Sequence, residues 1–129
     1  MMYILFFMIL CHIVDDFVLQ PVCLSNLKQK TWWEKNVIKC EWQKELYKND
    51  YLAALTIHSL SWSIMIHIPI MLEFIVNDWV LLISILLNAA IHFYVDNLKA
   101  NENKINLITD QSIHILQIIL TFIILLIVL

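Results

Sequence analysis

The stretch INLITDQSIHILQIILTFIILLIVL, residues 105–129, decides the architecture of this chain. From Ile115 onward it carries no ionisable side chain. At about 1.5 Å per residue, a helix of this length crosses a hydrocarbon core of about 30 Å. Near its start, one aspartate and one histidine four residues apart, Asp110 and His114, interrupt the apolar run.

Three more apolar segments precede it, at about 1–20, 51–76 and 79–98. In lipid only helices and closed barrels satisfy every backbone polar group, and runs of this length mean helices. The expected fold is therefore all-α: an integral membrane four-helix bundle forming a single domain over 1–129. An interfacial amphipathic helix is expected between the first and second helices, within the loop 21–50. Pro69 removes a backbone donor from the second helix and predicts a kink there.

Composition agrees. The 129 residues are 61% hydrophobic, with no glycine and a net charge of −3. That balance gives no basic surface for a nucleic acid. All eight basic residues are lysine, a bias that suggests an AT-rich bacterial or phage genome. Cys11, Cys23 and Cys40 are odd in number and lack metal-finger spacing, so they read as reduced. MMYILFFMIL (1–10) lacks a basic leader and a small-residue cleavage site, and is read as the start of a retained helix.

The lysines set the expected topology. Six lie between helices one and two (Lys28, Lys30, Lys35, Lys39, Lys44 and Lys48), and Lys99 and Lys104 lie between helices three and four. The positive-inside rule places both loops in the cytoplasm and both termini outside, in a multi-pass protein of the cell inner membrane. Trp32, Trp33 and Trp42 suit the headgroup region, and the lysines beside them suit anionic lipid. Membrane lipid is the expected partner, and a homo-oligomer is compatible with so small a bundle.

The unusual residues fall together on this map. CHIVDDFVLQ (11–20) carries His12 and Asp16, helix two carries His58, HFYVD (92–96) carries His92 and Asp96, and DQSIH (110–114) carries Asp110 and His114. A spacing of four puts each pair on one helix face. Alternation of the helices brings all seven to one layer, roughly 5–15 Å below the cytoplasmic boundary. Charges in that layer cost several kcal/mol unless compensated.

A divalent metal would compensate them. Imidazole and carboxylate on facing bundle helices suit zinc best, and also manganese or iron. Seven potential ligands exceed one tetrahedral set, which leaves room for two ions. Gln20 and Gln111 are expected to hydrogen-bond behind the ligands. Asp16, Asp96 and Lys99 are the candidate catalytic residues, Lys99 as the holder of an anionic headgroup. Asp15 points about 100° from Asp16 in a regular helix and is expected outside the cluster. His67 has no acidic partner and is read as structural.

These motifs resemble a bacterial and phage membrane family described as domain of unknown function 3307. Its pattern is H-x3-DF-x2-Q, a histidine in the second helix, H-x3-D-x2-K and DQ-x2-H. The resemblance covers nearly the whole chain, on His12, Asp16, Gln20, His58, His92, Asp96, Lys99, Asp110, Gln111 and His114. It implies that these residues form one site. Asp15 departs from the pattern, where a small or apolar residue is expected. The family lends no biochemical activity.

Three functions fit the sequence. One is a metal-dependent hydrolase of a lipid or lipid-linked phosphate at the cytoplasmic leaflet. A second is a non-catalytic accessory or holin-like protein with a structural metal site. The third is an ion or proton transporter, which needs polar residues continuing across the membrane.

Overall fold

A computed structural model describes residues 1–20 and 22–128. Among them the structure is helical and contains no strand. Helix α1 (Met2–Ile13) continues into a π-helical turn, Val14–Leu19. Three short helices follow: α2 (Val22–Leu27), α3 (Lys30–Asn36) and α4 (Glu41–Leu46). The long helices α5 (Asp50–Glu73), α6 (Asp78–Ala100) and α7 (Leu107–Val128) complete the chain. Four helical stretches are long and apolar enough to cross a membrane: Met2–Leu19, the stretch that includes α5, α6 and α7.

The boundaries depart from expectation where local chemistry intervenes. α5 stops at Glu73 because Asn77 already caps α6, its Oδ1 accepting the backbone N–H of Trp79 at 3.0 Å. Such a cap satisfies a donor that the first turn of a helix leaves without an intrahelical partner. Asn106 does the same before α7, accepting from Thr109 N at 2.9 Å. α5 passes Pro69 as one uninterrupted helix, although the missing N–H leaves the Met65 carbonyl without its helical donor.

The expected single interfacial helix is instead three pieces. The first break, at Lys28 and Gln29, lets Lys28 leave the helical path and turn into the bundle. At the second, both Val37 N and Ile38 N converge on the Trp33 carbonyl and close the helix. Trp33 then stacks on Tyr47, with ring centroids 5.7 Å apart, and folds α3 against the α4–α5 corner.

α5 packs on α6 and α1, while α7 packs on α1 and α6. At the end bearing the N-terminus and the end of α7, Ile4, Met8, Trp62, Ile66, Ile70, Ile118, Phe122 and Leu125 form a closed apolar core. The Tyr3 hydroxyl donates to the Glu73 carboxylate at that end. Beside this core, where α6 faces α7, lies a belt of hydrogen-bonded polar residues that the sequence reading did not single out. Gln117 donates to Asn88 Oδ1 at 2.8 Å and Thr121 donates to the same oxygen at 3.0 Å, tying α7 to α6.

These core side chains are buried against one another, so truncating one forfeits contacts that its neighbours cannot recover. Ile118→Ala should therefore cost about 2 kcal/mol, near the lower bound for a buried isoleucine truncation. Leu116→Ala, on the exposed side of the same helix, should change stability by less than about 0.5 kcal/mol. Thermal unfolding of both variants in detergent measures the difference.

Candidate metal centre

The layer of histidines and aspartates exists in three dimensions, and four helices supply it. His58 Nε2 from α5 stands 3.1 Å from His92 Nε2 of α6. It lies 3.3 Å from Asp16 Oδ1 and 3.5 Å from Asp96 Oδ2. His114 Nε2 of α7 lies 3.4 Å from Asp96 Oδ1 and 3.3 Å from Asp110 Oδ1. Nitrogen or oxygen ligands at about 2.0–2.2 Å from a tetrahedral ion stand about 3.3–3.6 Å from one another. Most of these separations match that edge. Two triplets, Asp16/His58/His92 and His92/Asp96/His114, have ligand atoms all within 4.8 Å of one another.

Each carboxylate is arranged alike: one oxygen is tethered from outside and the other is turned toward an imidazole. Asp96 Oδ2 accepts from Lys28 Nζ at 2.6 Å, and Asp110 Oδ2 accepts from Lys99 Nζ at 2.5 Å. Asp16 Oδ2 accepts from Gln111 Nε2 at 3.2 Å, and Asp15 Oδ1 accepts from the Ser61 hydroxyl at 2.7 Å. The opposite oxygens of Asp15, Asp16 and Asp110 are buried and have no hydrogen-bond partner. Both ring nitrogens of His114 and Nδ1 of His92 are likewise unpartnered. Buried polar atoms are normally satisfied, so a convergent set of bare acceptors fits a cation between them.

Trp62 organises the rings. Fully buried, it stacks on His92 with centroids 4.2 Å apart, and His92 stacks on His114 at 4.1 Å. Its indole N–H donates to His12 Nδ1 at 2.7 Å. An indole nitrogen can only donate, so His12 carries its proton on Nε2. That Nε2 donates to Gln111 Oε1 at 3.1 Å, and the Gln111 amide passes on to Asp16 and Asp110. His12 was expected among the ligands; here both its nitrogens are taken, and it positions Gln111 instead.

Asp15 requires a correction. It is buried, bonds Ser61, and sets Oδ2 at 3.7 Å from His58 Nδ1, behind the nitrogen that faces the other imidazoles. The cause is the π turn, closed by Gln20 N on the Asp15 carbonyl at 2.9 Å. The inserted residue shifts the register so that consecutive aspartates both reach inward. A carboxylate behind a ligating imidazole fixes its tautomer and raises its basicity.

Lys28 was expected on the lipid-facing loop, yet it is buried against Asp96. Lys99, expected to hold an anionic headgroup, is engaged by Asp110 but remains partly exposed. With its amide turned so that donors meet acceptors, Gln20 accepts from Lys28 Nζ at 2.9 Å and donates to the Asp16 carbonyl at 3.3 Å. Asp16, Gln20, Lys28, Asp96, Lys99 and Asn103 line a cavity of about 350 Å³, the mouth of the site. His67 lies deeper, held by the Ser63 carbonyl at 2.7 Å and Ser84 Oγ at 2.8 Å, in keeping with a structural role.

Of the residues the sequence reading missed, Trp62 had a signal: it sits four positions after His58, on the same helix face. Ser61 had a weaker one, and Lys28 had none. Trp62→Phe preserves an aromatic ring against His92 but removes the N–H to His12. It should cost about 1–3 kcal/mol, the penalty of leaving the buried His12 Nδ1 without its donor, read as a lowered melting temperature in detergent.

No protein-family model, curated protein or solved structure matches this chain, so its chemistry is read from its own residues.

Proposed function

We propose that this protein binds a divalent metal within the membrane and uses it to hydrolyse a lipid or lipid-linked phosphate. The observation that carries the metal reading is that Asp15, Asp16 and Asp110 are each tethered on one oxygen and bare on the other, while both oxygens of Asp96 lie within 3.7 Å of imidazole nitrogens. Charge supports it. Four aspartates (Asp15, Asp16, Asp96, Asp110) face two lysines (Lys28, Lys99), and four minus two leaves two negative charges, the complement of one divalent cation. Across the 3.1 Å between His58 and His92 only one hydrogen fits, so these two rings do not both carry a proton on their facing nitrogens. Zinc suits this ligand set best, and manganese or iron use the same groups.

The hydrolase reading rests on access. Asp16, Asp96 and Lys99 reach the mouth cavity at the lysine-rich end, while the apolar core closes the other end of the bundle. A one-sided site of this kind favours surface chemistry over an ion path across the membrane. A bound metal would supply a water of lowered pKa and polarise the scissile bond. Asp16 or Asp96 would take the water's proton, and Lys99 would receive the anionic headgroup. We further propose that the site is the one the domain of unknown function 3307 family carries, a resemblance that names no reaction.

Elemental analysis of detergent-purified protein should find divalent metal. His92→Ala and Asp96→Ala should each weaken its binding at least about 100-fold, the upper end of what losing a supporting partner costs, while His67→Ala should retain it. Absence of metal in the parent protein would overturn the reading. Metal-loaded protein incubated with lipid extract should release a cleaved headgroup or phosphate; metal uptake with no altered lipid would leave a structural metal site in its place.

The proposed orientation, with both termini outside the inner membrane, puts the exposed Cys40 in the cytoplasm. A membrane-impermeant maleimide should label Cys40 only after the cells are permeabilised. Labelling in intact cells would reverse the topology.

A further inference from the structure

We infer that the centre is built for two ions bridged by Asp96, and that Lys28 holds the place of the second. The inference rests on the metal reading above and extends it to the number of ions and the order in which they load.

Asp96 is a member of one ligand triplet and turns its second oxygen toward His58 of the other. Its Oδ1 lies 3.4 Å from His114 Nε2 and 3.7 Å from His92 Nε2. Its Oδ2 lies 3.5 Å from His58 Nε2, which is itself 3.3 Å from Asp16 Oδ1. The two triplets share His92: one ion would take His92, Asp96 Oδ1 and His114, with Asp110 Oδ1 beside His114, and the other would take Asp16 and His58, with Asp96 Oδ2 beside His58. His92 Nε2 can serve only one ion at a time, and a bridging carboxylate lets both sets fill without it being shared. Carboxylate-bridged ion pairs are a recurring arrangement for attack on phosphoryl groups.

The lysines separate the two sets. Lys99 takes the Asp110 oxygen turned away from His114, so an ion at the α7 set leaves Lys99 in place as an outer partner. Lys28 sits 2.6 Å from Asp96 Oδ2, the oxygen that the second set needs. An ammonium and a metal ion cannot both hold that oxygen at close range. Lys28 has somewhere to go: it already lines the mouth cavity, where Gln20 accepts from it. The first ion thus binds without displacing a protein cation, and the second binds by exchange with Lys28.

The test is a titration of detergent-purified full-length protein with Zn²⁺ or Mn²⁺, read by calorimetry and by elemental analysis. Lys28 acylation is mapped in parallel by mass spectrometry, with the exposed Lys35 and Lys39 as references. Two ions are expected, the second weaker, with Lys28 protected until the second equivalent and then reactive. Lys28→Met should strengthen the second step about tenfold, about 1.4 kcal/mol, and leave the first unchanged; Lys28→Arg should behave like the parent. A single ion in both parent and Lys28→Met would overturn the two-ion centre while leaving the metal reading intact. A second ion bound with Lys28 still protected would overturn the exchange. No ion bound at all would remove the metal reading and this inference together.

Discussion

The structure depends on one electrostatic constraint: four carboxylates share one layer of the helical bundle. Like charges this close among packed helices are poorly screened, and each needs a compensating partner. Each answer the fold gives is local. Ser61, Gln111, Lys28 and Lys99 each fix one carboxylate from behind, and the remaining oxygens turn inward. Helix positions, the π turn and the path of the loop after the first span all follow from supplying those four donors.

The gross architecture was legible because hydropathy and length are properties of composition. Four apolar runs had to be helices, and alternating helices had to bring His58, His92, Asp96, Asp110 and His114 to one level. The spacing of four inside each pair then fixed the face. What escaped was anything dependent on a departure from the regular helix. The inward turn of Asp15 follows from a π turn, which no periodicity announces. The burial of Lys28 follows from a helix break two residues before Lys30, where a continuous amphipathic reading keeps it on the surface.

His12 illustrates a different limit. Its sequence environment is indistinguishable from that of His92 or His114, since each has an aspartate four residues away. Its role diverges because an indole N–H from another helix claims Nδ1. Whether a histidine binds an ion or aligns its neighbours is decided by tertiary partners, and spacing alone carries no record of them.

The polar belt between α6 and α7 has a consequence for ion choice. Asn88 lies one turn from His92, and Gln117 one turn from His114. The hydrogen bonds among Asn88, Gln117 and Thr121 therefore clamp the two helices just beneath the His92 and His114 rings, the proposed ligands. A frame fixed so close to its ligands cannot widen freely to suit a larger cation. Stiffness favours small ions that accept few ligands at short range over calcium, which takes six to eight oxygens at longer distances. Selectivity would then reside partly in two amides and a hydroxyl that never touch the metal.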